Sequence, residues 1–267
     1  MIALFLTMSL VYSQIITASL PPSAWGPDGQ GVANADTPWG VLINLFVFAL
    51  VIVAVCASLV IVHHRPIGGL IGPRLLVTRH FTRVLTALVV LNLLLMLLPM
   101  PDALTPLPHL AFDQWIAFLP FALLGLLIQT GAEEIVFRGY LQSQLAARFA
   151  HPLVWMGVPS VLFALLHFAP GAYGENAWLV MLWAGLFALA AADLTARSGT
   201  IGPAIALHLI NNVSALLIAA PAGSFDGLAL WTYPFSADDT AIMQVWMPVD
   251  LMVLLCSWLA ARLALRA

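Results

Sequence analysis

The sequence predicts an all-α protein, a polytopic bundle that crosses a membrane about eight times. Of its 267 residues, 62% are hydrophobic and only 8% are charged, and the mean hydropathy is +1.01. A soluble globular domain carries about 25% charged residues, so this composition indicates that lipid is the solvent. A span of hydrocarbon requires ~20 mostly apolar helical residues. By this criterion we predict helices at 1–19, 41–62, 84–100, 113–137, 153–170, 177–195, 201–220 and 245–263.

The basic residues, which are all arginine, indicate how the helices are oriented. Cytoplasmic loops of membrane proteins accumulate Arg and Lys. The arginines fall in segments 63–83 and 138–151, in the turn at 197 and at 262–266. The segments with acidic but no basic residues are 20–40, 101–112, 171–176 and 221–244. The two sets alternate, which predicts that both termini are cytoplasmic.

This orientation requires residues 1–19 to be a retained helix rather than a cleaved signal peptide. We favour the helix, because the run has no basic start and no convincing small-residue cleavage site.

The composition also limits the domain organisation and the partners. We find no repeat or low-complexity tract, so the simplest expectation is a single membrane domain over residues 1–267. The net charge of -3 is spread over many loops. The charges form no basic stripe that could follow a phosphate backbone, so nucleic acid is not an expected partner. Cys56 and Cys256 both lie in apolar runs, which excludes a disulfide framework and a cysteine-based zinc site.

Charged side chains at membrane depth cost ~2.5–3.5 kcal/mol each on insertion scales, so each one needs a role. The fourth apolar run ends with Glu133, Glu134 and Arg138. Residues four apart share a helix face, so Glu134 and Arg138 can pair, whereas Glu133 points about 100° away. We interpret the pair as a support and Glu133 as the group that is free to act on a water molecule. The alternative for the pair is a plain ion pair near the lipid headgroups, and the two roles are compatible.

Two other apolar runs carry polar residues at the same spacing of four. The fifth contains Phe163 and His167, and the seventh contains His208 and Asn212. Stacking of Phe163 on His167 would orient the imidazole and keep it dry. His208 and Asn212 share a helix face and can aim two donors at one point, as an oxyanion hole requires. A carboxylate and an imidazole that converge on one water form a general base without a serine or cysteine nucleophile.

The ordered motifs E-E-x-x-x-R, F-x-x-x-H and H-x-x-x-N resemble those of the CAAX protease and bacteriocin-processing family of intramembrane proteases. This family, also called CPBP or Abi, includes the Ras-converting CAAX endopeptidase. The resemblance covers residues 113–220, which we take as the catalytic core. The residues that it implies are Glu133 and His167 for activating the water, His208 and Asn212 for stabilising the oxyanion, and Glu134 and Arg138 as support.

The resemblance implies an endopeptidase but leaves its cofactor open. The family is labelled metallopeptidase, while its arrangement is also interpreted as a metal-free glutamate protease. Either no cofactor or one divalent metal such as zinc is therefore expected. No H-E-x-x-H zinc motif is present.

The resemblance also implies that the substrate is a peptide or membrane protein, cut near the cytoplasmic side of a lipid bilayer. Eukaryotic members of the family process prenylated C-terminal peptides, and bacterial ones process bacteriocin-related or unknown membrane peptides. The compact chain without an organelle-targeting signal favours the cell membrane of a bacterium, that is, its inner membrane.

Two other functions use the same residues. Buried acids and histidines could form the proton relay of a transporter. Inverted repeats between the halves of the chain would support that function, and we detect none. A catalytically silent immunity or scaffold protein would keep the fold without the chemistry. The complete set of motif residues favours the enzyme.

Overall fold

A computed structural model describes residues 1–20, 25 and 29–266 of the chain. Parts of the predicted loop 20–40, namely 21–24 and 26–28, lie outside the described residues. The α-helices are α1 (Ile2–Ser19), α2 (Gly31–Asn34), α3 (Pro38–Phe46), α4 (Phe48–Ile61), α5 (Arg74–Leu95), α6 (Phe112–Glu134), α7 (Ser143–Ala146), α8 (Val158–Leu166), α9 (Pro170–Tyr173), α10 (Ala177–Ser198), α11 (Gly202–Val213) and α12 (Thr240–Ala264).

The helical fold class is confirmed, and the protein is polytopic by the length and composition of its helices. The structure is 75% helical. Within the described ranges, five helical segments are long and apolar enough to cross a membrane. They are Pro38–Ile61, Ile67–Leu95, Phe112–Ala146, Pro170–Ser198 and Thr240–Ala264. Three shorter apolar helices are Ala3–Ser19, Leu153–Leu166 and Gly202–Ile218.

Two details of the predicted helices are wrong. The helix expected at 84–100 is α5, which begins ten residues earlier at Arg74 and ends at Leu95. Arginine is a good helix former, and its long stem lets the charge reach water from a helical position, so a basic segment need not be a loop. Arg138 was assigned to the loop 138–151, but it lies within a helix and is buried.

The helices form two compact units, of which the first comprises Met1–Ile67, Pro101–Ala132 and Asn211–Ser236. In this unit α3 begins at a clear signal, since the Thr37 side chain accepts from the Gly40 amide at 3.0 Å and Pro38 occupies the first turn. Gly40 is required, because a Cβ there would lie 2.0 Å from the Gly31 carbonyl oxygen.

The first unit also contains a small sheet that the sequence did not predict. Its strands are β1 (Leu107–Pro108), β2 (Ala219–Pro221) and β3 (Trp231–Tyr233), in the order β1-β3-β2. β1 pairs antiparallel and β2 parallel with β3. Strands of two or three residues are too short to show the period-two alternation that sequence reading depends on.

The second unit comprises Gly68–Met100, Glu133–Ile210 and Ala237–Ala267. Its core centres on α10, which packs on α8 and α12. Small residues allow the close approach of α10 and α8: a Cβ on Gly185 would lie only 3.3 Å from the Ala164 Cβ. The larger buried side chains of this core include Leu88, Phe163, Phe187, Leu194 and Leu207.

Each helix that carries a motif residue includes a π-helical segment. α6 continues as a π-helix at Ile135–Gln142, α8 follows one at Leu153–Gly157, and α11 continues into one at Ser214–Ile218. π-Helical turns are rare and are frequently found at functional sites. The first of the three lies directly after Glu134, so it sets the direction in which the rest of that motif points.

The packing of α10 leads to a stability prediction. We expect Ala188→Leu to lower the free energy of unfolding by about 1–3 kcal/mol, because this side chain is fully buried and the core has no room for three more carbons. Ala196→Leu, at an exposed position of the same helix, is the matched control and should change it by about 0.5 kcal/mol or less. Unfolding of the purified protein in detergent measures both, and equal midpoints would contradict the packing described for α10.

Candidate active site

A buried ion pair lies where α6 passes into its π-helical continuation. Arg138 donates from Nη1 to Glu134 Oε1 at 3.1 Å, and the two side chains are 1% and 0% exposed. The second guanidinium nitrogen, Nη2, donates to the carbonyl oxygen of Ala188 on α10 at 3.0 Å. The pairing predicted from the spacing of four is confirmed. The contact with Ala188 joins the pair to the core of the second unit.

His208 on α11 lies between the two glutamates. Its Nδ1 is 2.8 Å from Glu134 Oε1, and its Nε2 is 3.6 Å from Glu133 Oε2. An ionised carboxylate can only accept hydrogen bonds, so Nδ1 is the donor to Glu134. Glu133 Oε2 is buried and has no hydrogen-bond partner within the described parts of the chain. One imidazole therefore connects the supporting carboxylate with the carboxylate proposed to act on water.

Phe163 on α8 contacts both histidines and the arginine. Its ring stacks on His167 with centroids 4.4 Å apart and planes at 28°, as predicted. The ring of His208 meets it edge-on at 6.0 Å, and the Arg138 guanidinium lies 5.1 Å from its centroid. Contacts of this kind hold the planes of the rings in place and add about 0.5–1.5 kcal/mol per aromatic pair. Phe163 thus helps to order three polar groups of the site, namely His167, His208 and Arg138.

His167 is oriented by the backbone as well as by Phe163. It caps α8, and its Nδ1 lies 2.8 Å from the carbonyl oxygen of Phe163. A carbonyl only accepts, so Nδ1 carries the proton and Nε2 of the neutral ring is an acceptor. Over the residues that the structure describes, no hydrogen bond or ion pair joins His167 to Glu133. Their convergence on one water stays a prediction.

Asn212 belongs to the first unit, where its neighbours are other amides. Its Nδ2 donates to Gln129 Oε1 at 2.8 Å, and Asn211 Nδ2 donates to its Oδ1 at 3.2 Å. Sequence reasoning missed Gln129. The signal was present, because Gln129 is a polar residue in an apolar run and precedes Glu133 by four positions.

Gln142 and Phe187 are further residues that the motifs did not reveal. Gln142 follows Arg138 by four positions and donates to the carbonyl oxygen of Ala192 at 3.1 Å. Arg138 and Gln142 thus bind carbonyls of α10 that are themselves four residues apart. Phe187 meets His208 edge-on at 4.9 Å. An apolar run gives no sign of which carbonyls or rings a distant helix will contact.

The donor atoms of the cluster decide whether it could hold a metal ion. The described residues contain no group of three His, Cys, Asp or Glu side chains that could hold a metal ion. Glu133 and His208 offer two donor atoms 3.6 Å apart, whereas catalytic zinc takes three protein ligands. Nδ1 of His208 and Oε1 of Glu134 already bind each other. This arrangement of donors does not fit a zinc site.

The fold and the site together define the class of this protein. It is a polytopic membrane protein in which a carboxylate, an imidazole and a guanidinium group form a buried cluster among apolar helices. Residues 114–214 match the family described as type II CAAX prenyl endopeptidase Rce1-like. The resemblance carried by the three motifs is thereby confirmed for this part of the chain. The family consists of proteases.

A relative of this chain is the uncharacterized protein YyaK of Bacillus subtilis (strain 168). The two are 31% identical over 105 residues, which is 38% of this chain and 34% of YyaK. The chain thus spans about a third of the length of this curated relative. No solved structure matches the chain.

The buried ion pair leads to a second prediction. We expect Arg138→Gln to lower the free energy of unfolding by about 3–5 kcal/mol, because it leaves the Glu134 charge buried without its partner. Arg197→Gln is the matched control: Arg197 pairs with Asp193 at the same spacing, but its side chain is 50% exposed. An exposed pair contributes about 0–1 kcal/mol. Unfolding in detergent measures the free energy of unfolding of both variants. Similar decreases in the two variants would show that burial does not make the Glu134–Arg138 pair more important for stability than an exposed pair.

Proposed function

We propose that the protein is an intramembrane endopeptidase of the CAAX-protease type, which hydrolyses a peptide bond near the cytoplasmic side of a membrane. The observation that carries the proposal is the position of His208 between Glu133 and the buried Glu134–Arg138 pair. A buried, unpartnered carboxylate oxygen beside an oriented imidazole is an arrangement for moving protons. The match of residues 114–214 to a family of proteases supports the same reading.

The charges of the cluster determine what His208 can do. Glu133 and Glu134 bring two negative charges, and Arg138 brings one positive charge. An uncompensated charge is costly in an apolar interior, so the proposed role of His208 uses its imidazolium form, in which the four side chains sum to zero. In that state Nδ1 donates to Glu134 and Nε2 also carries a proton. His208 can then donate from Nε2 to a developing oxyanion.

Glu133 and His167 would activate the water. Glu133 Oε2 accepts one proton from it, while His167 Nε2 accepts a hydrogen bond from the remaining O–H and orients the water, since His167 Nδ1 donates to the Phe163 carbonyl. The water oxygen attacks the carbonyl carbon of the peptide. The oxyanion formed is stabilised by His208 Nε2–H and by the amide of Asn212, which Gln129 orients. The proton held by Glu133 then passes to the leaving amine as the C–N bond breaks.

The mechanism predicts that Glu133→Gln abolishes cleavage. Glutamine keeps the shape but cannot take a proton, and loss of general-base catalysis lowers rates by about 10²–10⁴-fold. A quenched-fluorescence peptide library, which includes peptides with a prenylated C-terminal cysteine, measures the activity of the purified protein in detergent. Glu175→Gln, which changes an exposed acid elsewhere, is the control and should keep full activity.

The same assay separates the alternatives. Cleavage that persists in a zinc chelator supports the glutamate-type chemistry, whereas loss that zinc restores would show a metal enzyme. Cleavage of one peptide by wild type and Glu133→Gln at equal rates would overturn the role of Glu133. If the wild type cleaves no peptide, proton uptake by vesicles that contain the protein tests the transporter alternative. If no uptake is found either, the silent immunity or scaffold protein is the alternative that remains.

We further propose eight spans, with both termini in the cytoplasm of a bacterial cell and one membrane domain with its catalytic core at 113–220. The five long and three shorter apolar helices add up to eight, one for each predicted run. The arginine pattern supports the orientation through segment 63–83, the turn at 197 and the chain end, although Arg138 no longer counts as a loop residue.

Fusions test this topology. Green fluorescent protein fluoresces only in the cytoplasm, and alkaline phosphatase is active only after translocation. We expect fluorescence from a fusion at the C-terminus and phosphatase activity from one within segment 101–112. The reverse result at either place would contradict the proposed orientation, and loss of an N-terminal tag on maturation would show that residues 1–19 are a signal peptide.

A further inference from the structure

A cleft of about 340 Å³ with several polar residues in its lining lies in the second unit, and the Glu134–Arg138 pair borders it through Arg138. It is bounded by the segment before α5, the π-helix after α6, α7, the end of α10 and the turn that follows it. None of the motif residues other than Arg138 lines it. Its lining includes Leu70, Arg138, Gln142, Thr195 and Thr200.

Backbone groups form part of its walls, because glycines allow the chain segments to approach closely. A Cβ on Gly139 would lie 2.5 Å from the carbonyl oxygen of Leu70. Gly72 has φ +87° and would place a Cβ 2.8 Å from the carbonyl oxygen of Gly199. Bulkier residues are excluded at both places. The walls consequently include peptide groups, which offer hydrogen-bonding partners.

Two buried polar atoms of the lining residues have no hydrogen-bond partner in the described part of the chain. They are Oε1 of Gln142, a residue 4% exposed, and Oγ1 of Thr195. The amide nitrogen of Gln142 is bonded to Ala192, which fixes the side chain. A buried polar atom left without a hydrogen bond costs about 1–3 kcal/mol. Two such atoms on one cleft indicate a polar occupant that supplies the missing hydrogen bonds.

We propose that the occupant is water and that the cleft is a hydrated vestibule, which supplies water to the catalytic cluster from the Arg138 side. A site for water must be polar, and it needs only ~10–15 Å³ per molecule. An anion is disfavoured, because the Arg138 guanidinium already binds Glu134 and the Ala188 carbonyl. The segment before α5 and the turn at Gly199 belong to the face that the arginine pattern assigns to the cytoplasm.

The role of this vestibule rests on the proposed function. Each peptide bond hydrolysed consumes one water, so the cluster needs a route by which water reaches it. Arg138 lines the cleft and binds Glu134, so one guanidinium separates the vestibule from the carboxylates and His208. Arg138 is a positioning residue in this scheme, and small movements of its side chain admit the next water.

Cysteine labelling tests hydration directly. Cys56 and Cys256 are first replaced by serine. A single cysteine is then introduced by Gln142→Cys, with Ser160→Cys as the matched control, since both residues are 4% exposed and Ser160 does not line the cleft. A charged sulfonate methanethiosulfonate reagent reaches a thiol only through water. We expect Gln142→Cys to gain one label and Ser160→Cys to gain none, as measured by intact mass.

Thr195→Cys is a smaller change that guards against misfolding of the first variant, and it should also be labelled. The proposal is overturned if neither cleft cysteine reacts while Ala147→Cys, at an exposed position outside the cleft, does. Equal labelling of Ser160→Cys would overturn it too, because the reagent would then enter the helix packing generally.

Labelling needs no peptide substrate, so it is independent of the proposed function. Labelled cleft cysteines in a protein that cleaves no peptide would retain the hydrated cleft and count against the proposed function alone. In an active protein, the label on Thr195→Cys should lower turnover because it fills the vestibule. Unchanged turnover after complete labelling would overturn the supply of water by this route.

Discussion

The structure depends on one electrostatic constraint: charges placed among apolar helices must compensate one another. Glu134 meets this constraint by accepting hydrogen bonds from both Arg138 and His208 through the same oxygen. Removal of any one partner would leave a buried charge uncompensated. The three side chains come from two helices that are far apart in the chain, so the cluster is also a tertiary link. Catalytic potential and stability therefore reside in the same residues.

The small side chains of α10 make this link possible. Alanines on its buried face leave the helix backbone accessible, so that Arg138 and Gln142 can reach the carbonyl oxygens of Ala188 and Ala192. In lipid there is little hydrophobic force between helices, and close packing with hydrogen bonds takes its place. The π-helical segment after Glu134 belongs to the same arrangement, since it carries both donor side chains toward α10. A bulky residue on that face would push the Glu134–Arg138 pair away from the Ala188 carbonyl that Arg138 binds.

The matched region and the rest of the chain contribute differently to function. All seven motif residues lie within residues 114–214, the part that matches the protease family. The first unit adds helices and a small sheet outside this region. Residues that recognise a substrate are expected mainly where relatives differ, whereas the chemistry is the common part. The proposed reaction thus follows from the cluster, and the identity of the peptide must come from experiment.

Contacts that helix geometry controls could be predicted from the sequence. Glu134 with Arg138 and Phe163 with His167 are each four residues apart, and a helix brings such residues together whatever surrounds it. Three other features could be found only in the folded protein: His208 binds Glu134, Asn212 binds Gln129, and Arg138 is buried rather than in a loop. These contacts depend on how side chains of separate helices pack. In a chain that is apolar nearly everywhere, periodicity does not reveal which face of a helix meets which neighbour.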